Sequence, residues 1–251
     1  MAALNVDWAE RVSAGSVYTF VTIVGLTLGG WLWSRRFRSE SGSFAVFVGA
    51  IAGAYLGAKL LYLAAEGWMH YGTDLWLYQL AAGKTIVGAL LGGYAGVEIA
   101  KKLIGYTKPT GDWFAVGVPL SIAAGRLGCL RYGCCPGKVC TEPEWFTITD
   151  PVGLERWPAV PLELGFNLLF VAMILPLVLR RNLLRRSPLA GQLFHLYLIS
   201  YGVFRFWHEF HRDTPALVAG LTGYQLGAAG LVVLGVSRAV VREIARRVRV
   251  R

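Results

Sequence analysis

The sequence predicts an all-α integral membrane protein with seven transmembrane helices, the N-terminus outside and the C-terminus cytoplasmic. Three observations predict it. The 251 residues are 55% hydrophobic and only 16% charged, with a mean hydropathy of +0.49, whereas soluble domains carry about 25% charged residues. Apolar stretches recur at lengths near the ~20 residues that cross a bilayer. The basic residues divide unevenly between alternate loops, as the positive-inside rule demands. This composition excludes a disordered chain and sets a soluble enzyme aside.

The expected spans lie at about 16–33, 43–65, 82–100, 113–130, 159–179, 189–207 and 217–237. The third, fourth and sixth are the weaker, since each carries Lys, Arg or His near its middle or end. The first follows no basic n-region and is too long for a signal-peptide core, so no cleaved leader is expected. With the N-terminus outside, 16 Lys and Arg fall on the cytoplasmic side and 5 outside, and 4 more lie in or at the edges of spans. An odd number of spans keeps that alternation. The whole chain, 1–251, reads as a single transmembrane domain.

Three segments lie between or beyond the spans. Residues 66–81 carry no Lys or Arg but include Trp68, Tyr71, Trp76 and Tyr78, which suits an outer interfacial segment. Residues 131–158 form an outer loop. Residues 238–251 are a basic cytoplasmic tail, read as a topological anchor drawn to anionic lipid. The net charge of +10 is therefore a membrane signature, and no nucleic-acid partner is expected.

Ionisable groups within spans cost several kcal/mol and mark function or buried pairing. Arg126 sits in SIAAGRLGC, after a mostly apolar run. Arg205 and Glu209 are spaced i, i+4 in YGVFRFWHEFHRD, on one helix face, and Arg212 follows a turn later. Glu163 opens the fifth span and Lys84 the third. All are expected in the outer half of the membrane, converging on one polar site. Arginines in a low-dielectric setting suit a phosphate, because the planar guanidinium donates paired hydrogen bonds and stays charged. An anionic phospholipid headgroup is the nearest abundant phosphate. A structural ion pair is the alternative for Arg205 and Glu209.

The glycines include GALLGG at 88–93 and the four-residue spacing of Gly49, Gly53 and Gly57, which favours close helix packing. Cys129, Cys134, Cys135 and Cys140 follow the spacing C-x4-C-C-x4-C, which does not match paired C-x2-C zinc motifs. Disulfides, packing thiols, a metal or cluster site and a catalytic thiol all remain open. Lys138, in CCPGK, can offer its ammonium to an anionic headgroup.

Taken together, these motifs resemble the prolipoprotein diacylglyceryl transferase family. SVYTFVTIVGLTLGGW resembles its first span, with Tyr18 at the tyrosine position. GKTIVGALLGG is similar to the glycine-rich H-G-G-L-I-G segment and carries Gly88. GRLGCLRYGCCPGK is similar to the signature loop, with Gly125, Arg126 and Gly137 on signature positions. RWPAVPLELGFNLL resembles R-H-P-T-Q-L-Y-E and places Glu163 on the glutamate. RFWHEFHR is similar to R-F-x-x-E-F-x-R and carries Arg205, Glu209 and Arg212. The order of the five motifs matches that of the family along most of the chain.

The resemblance implies a multi-pass protein of the bacterial inner membrane. It implies phosphatidylglycerol or another anionic phospholipid as donor, and a prolipoprotein cysteine thiol or another acceptor. The thiol attacks a glycerol carbon, the diacylglyceryl group is transferred, and glycerol phosphate leaves. Arg126 and Arg205 stabilise charge on the phosphate, with Glu209 catalytic as well; His208, off the motif, is added as catalytic for its place beside Glu209. Tyr18, Gly88, Gly125, Gly137, Lys138, Glu163 and Arg212 bind substrate. No cofactor is expected, and no metal ligand is assigned.

The chain departs from the family pattern where the motif histidine stands, which is Val87 here. Cys129 replaces a frequent asparagine, and Val160, Pro161 and Leu162 replace Q-L-Y. Thiol attack needs a base, so His208, His211 or Glu209 is expected to substitute. A non-catalytic phospholipid-binding relative and a cysteine-based redox or metal protein are the competing readings. An anion transporter is weaker still, since no inverted repeat is visible.

Overall fold

The computed structural model describes residues 20, 23–25, 27–35, 37, 38, 40–74, 76–142, 144–150, 152–180, 184, 187 and 189–250. Residues 23–25 and 27–35 are helical; the rest of the expected first span, with Tyr18, lies largely outside the described residues. The α-helices that follow are α1 (Ser43–Ala65), α2 (Trp76–Ala82), α3 (Ile86–Ile104), α4 (Gly111–Tyr132), α5 (Ala159–Leu179), α6 (Leu193–His208) and α7 (Gly223–Val250). Two short hairpins interrupt them, β1 (Ile148–Thr149) with β2 (Glu155–Arg156) and β3 (Ala216–Val218) with β4 (Leu221–Thr222), both antiparallel.

Among the described residues, four helices are long and apolar enough to cross a membrane: Ser43–Ala65, Gly111–Arg131, Ala159–Leu179 and Gly223–Val248. They support a helical membrane protein. The helix α3 carries Glu98, Lys101 and Lys102 in its last two turns, and α6 has only 16 residues. The expected interfacial segment contains a 3-10 turn at Gly67–His70 followed by α2. The helix α7 runs on through the basic tail to Val250.

The chain divides into two compact units, one of Met1–Leu32 with Val116–Pro176 and the other of Trp33–Ala115 with Leu177–Arg251. In the second, α1 and α3 meet along a glycine seam. A Cβ on Gly53 would lie 2.3 Å from the Gly92 carbonyl oxygen, and one on Gly57 would lie 2.3 Å from that of Gly88. Gly49 and Gly96 repeat the arrangement one turn further. Small residues replace hydrophobic driving force between helices in lipid by letting backbones touch, and here no side chain larger than hydrogen fits.

The ends of α3 follow from local chemistry. Thr85 caps it, its hydroxyl accepting from the Gly88 N–H at 2.8 Å, which satisfies an orphan amide. Gly105 closes it at φ +66°, donating to the Lys101 carbonyl, a left-handed cap that favours glycine. Beside this pair, Trp33, Phe37 and Val46 form a buried cluster with Phe47, Val97, Tyr106, Trp113 and Phe114 around it. The indole N–H of Trp33 donates to the Ser43 carbonyl at 2.9 Å.

The helices α6 and α7 pack as a second pair. A Cβ on Gly202 would meet the Ala228 carbonyl at 2.8 Å, and one on Gly235 would meet that of His195 at 2.9 Å. A capping box opens α7. Gln225 N–H donates to Thr222 Oγ1 at 3.1 Å, and Thr222 N–H donates to Gln225 Oε1 at 2.9 Å, a reciprocal use of two orphan donors.

Candidate arginine–carboxylate site

Each of the two units holds a buried arginine backed by a carboxylate. In the first, Arg126 lies three turns into the apolar part of α4, and its Nη2 is 2.7 Å from Glu163 Oε2 in the first turns of α5. Glu163 is fully buried and Arg126 nearly so. A lone ion in such surroundings costs several kcal/mol, so each charge requires the other. Asn167, one turn on from Glu163, is also fully buried and donates to the Glu163 carbonyl at 2.7 Å.

The loop after α4 packs upon itself. Gly137 touches Trp157, where a Cβ would stand 2.2 Å from the Trp157 carbonyl. Trp157 N–H donates to the Lys138 carbonyl at 2.9 Å, and Arg156 Nη1 donates to the Gly137 carbonyl at 3.2 Å. Gly137 is thus required by close backbone approach, while the Lys138 side chain is exposed. Gly125 has open space beside it.

The second cluster closes α6. Arg205 Nη1 lies 2.5 Å from Glu209 Oε2, with Glu209 fully buried. Thr214 Oγ1 donates to the other carboxylate oxygen at 2.6 Å. Arg205 Nη1 also lies 3.4 Å from His208 Nδ1. A guanidinium can only donate, so in this contact Nδ1 is the acceptor. His208 stacks on Phe204 at 5.1 Å and is fully buried. Arg212 presents buried Nε and Nη1 donors that find no hydrogen-bond acceptor among the described residues.

Val87, at the place of the family's histidine, is 1% exposed. It packs over Gly227 of α7 together with Leu61. Gly88, expected at the substrate, belongs to the α1–α3 seam, and its N–H is taken by the Thr85 cap. Sequence reasoning missed Thr214 and Asn167. The second carried a readable signal, since it lies four residues from Glu163 on the same helix face.

The four cysteines stand as free thiols. The Sγ atoms of Cys129, Cys134 and Cys135 lie within 4.8 Å of one another. The hydrogen bond with Cys129, then that with Cys135 and burial, push the Cys134 thiol far above the ordinary thiol range.

A family profile described as prolipoprotein diacylglyceryl transferase matches residues 13–241. The chain belongs to the prolipoprotein diacylglyceryl transferase family. Among its relatives is the phosphatidylglycerol–prolipoprotein diacylglyceryl transferase of Rhodospirillum rubrum, 30% identical over 249 residues and covering 92% of this chain and 88% of that one. The protein of the same name from Clostridium tetani is 30% identical over 186 residues, 72% of either chain. That of a Dehalococcoides mccartyi strain is 28% identical over 264 residues, covering 97% of this chain and 96% of its own. Members of the family are named as transferases of the diacylglyceryl group, and membership sits well with the apolar helices.

Proposed function

We propose that the protein transfers a diacylglyceryl group from phosphatidylglycerol to the cysteine thiol of a prolipoprotein, in the bacterial inner membrane. In this reading it spans seven times with its N-terminus outside, as the 16-to-5 division of basic residues supports. The observation that carries the proposal is the buried Arg126–Glu163 pair, placed on two family motifs of a chain matched over residues 13–241.

The chemistry follows from charge. The acceptor sulfur attacks the glycerol carbon, a C–S bond forms, the C–O bond to phosphate breaks, and glycerol phosphate leaves with the bonding pair. Arg126 holds the phosphodiester and stabilises the charge that develops on it, and Arg205 offers a second guanidinium of the same kind. The carboxylate of Glu163 fixes the Arg126 guanidinium plane, so little reorganisation is needed there during reaction. Arg212 supplies its unsatisfied donors to the same class of anion. Tyr18, Gly125 and Lys138 complete the substrate contacts.

The thiol proton goes to Glu209. His208 has its Nδ1 turned to Arg205, which makes it a positioning residue in this reading. A lipobox peptide incubated with phosphatidylglycerol and the purified protein should gain the mass of one diacylglyceryl group. An unmodified peptide beside an active relative, from protein of intact fold, refutes the transferase.

Val87 favours a second reading. It offers no proton acceptor at the family's histidine position, as a phospholipid-binding relative without turnover would have it. That reading expects phosphatidylglycerol binding that is lost in Arg126→Ala, with no product from any acceptor.

A further inference from the structure

The spacing C-x4-C-C-x4-C has no part in lipid transfer as derived above, yet the fold gathers its first three cysteines. Cys129 ends the apolar stretch of α4. Cys134 N–H donates to the Cys129 carbonyl at 3.2 Å, turning the chain back over the helix end. Gly133 stands at φ +68° and Cys135 at φ +62°. The left-handed conformation costs a residue with a Cβ about 1–2 kcal/mol, and at Cys135 it brings a third sulfur beside the other two. Cys140 is held apart, its thiol directed to the Lys138 carbonyl at 3.9 Å.

We propose that Cys129, Cys134 and Cys135 form a tri-thiolate site for a thiophilic d10 cation, Cu(I) or Zn(II). Sulfurs bound to one such ion at about 2.3 Å stand roughly 4 Å apart, and these lie within 4.8 Å of one another before any ion is bound. Small rotations of the side chains close the difference. Soft thiolates select such cations over hard ones. Three sulfurs complete the shell of Cu(I), whereas Zn(II) takes a water as fourth ligand. On binding, each S–H releases its proton to solvent and the complex becomes anionic. Arg126 supplies the counter-charge, its Nη1 donating to Cys129 Sγ at 3.7 Å. The same guanidinium pairs with Glu163, so occupancy of the thiol site bears directly on the arginine that reads the lipid phosphate.

The full chain, purified in detergent under reducing conditions, is titrated with Cd(II), Zn(II) and Cu(I) against competing chelators. One cation per chain is expected, with a sulfur-to-cadmium charge-transfer band and a rise in Tm on binding. Cys129→Ser, Cys134→Ser and Cys135→Ser should each weaken binding about 100-fold or more, beyond the loss typical of outer-sphere changes. Cys140→Ser should bind as the parent does. Gel filtration checks that each variant keeps its fold. A chelator of Zn(II) that leaves Cu(I) bound, or the reverse, identifies the cation. Absence of the charge-transfer band at stoichiometric Cd(II) overturns the site. So does binding indifferent to the three serine variants, or a protein whose thiol count shows a disulfide among the three sulfurs in place of a bound cation.

Discussion

Arg126 Nη2 and Glu163 Oε2 stand 2.7 Å apart, joining α4 to α5 through a carboxylate with no exposed surface. Breaking such a pair from one side costs about 3–5 kcal/mol, whereas replacing both members by apolar residues of similar volume is close to neutral. Glu163→Gln should therefore lower Tm sharply. The double variant Arg126→Met, Glu163→Leu should recover most of the stability while losing phosphatidylglycerol binding. Thermal unfolding in detergent and a lipid-binding assay separate the two effects. A double variant that still binds lipid removes Arg126 from the site.

The contact between Arg205 and His208 yields a test of role. An asparagine carries its amide oxygen near the place of Nδ1 and can accept from Arg205 without taking a proton. If His208 only positions Arg205, His208→Asn should keep turnover within about tenfold, with an unchanged pH profile. Loss of a general base costs about 10²–10⁴-fold. A fall of that size, with the lower limb of the profile abolished, would return the base to His208.

Much of this organisation was legible in the residues. Arg126 and Glu163 stood out because charge is costly in apolar sequence, and both prove buried and paired. The start of the last helix was misplaced because Ala216, Leu217 and Val218 extend the apolar run. Ala219 at φ +51° and Gly220 at φ +76° instead turn it into a hairpin. Thr222-x-x-Gln225 announced the true start as a capping box. Pairs distant in sequence carried no such signal. The Tyr224 hydroxyl donates to Glu66 at 2.6 Å across 158 positions, and only tertiary packing decides that.

The glycine seam predicts opposite signs for one type of substitution. Gly92→Ala drives a Cβ to 2.2 Å from the Gly53 carbonyl, while Gly230→Ala meets nothing within 4 Å. Overpacking costs about 1–3 kcal/mol, and alanine gains about 0.5–1 kcal/mol over glycine inside a helix. Gly92→Ala should lower Tm and Gly230→Ala should raise it slightly. Equal shifts in both would mean that α1 and α3 do not meet as described.

Acid should loosen the β1–β2 hairpin before the helices. Asp150 is held below its ordinary value of 3.8 mainly by its bond from Arg156, and Glu155 below 4.5 by the hydroxyls of Thr149 and Thr147. Depressed carboxyls contribute stability that is complete above their ordinary values and lost as pH falls through the folded ones. Hydrogen exchange or proteolysis at 148–156 should rise below about pH 4 while helix content holds. In Arg156→Met the same change should begin at higher pH. An unchanged onset would show that Arg156 does not hold Asp150.

Val87→His restores the family's histidine in a setting that has closed over it. Val87 is 1% exposed and shares the surface of Gly227 with Leu61, where an ideal Cβ on Gly227 lies 2.9 Å from either side chain. An imidazole there exceeds the space and brings a polar ring into an apolar contact, which costs about 1–3 kcal/mol for each cause. With Glu209 as the proton acceptor, turnover on a lipobox peptide should not rise, and Tm should fall. A gain of tenfold or more would mean that the reaction still runs past residue 87 and that valine is what slows it. Val87→Ala completes the comparison. It relieves packing without supplying a base, so a gain shared by both variants belongs to space, and one confined to histidine belongs to proton transfer.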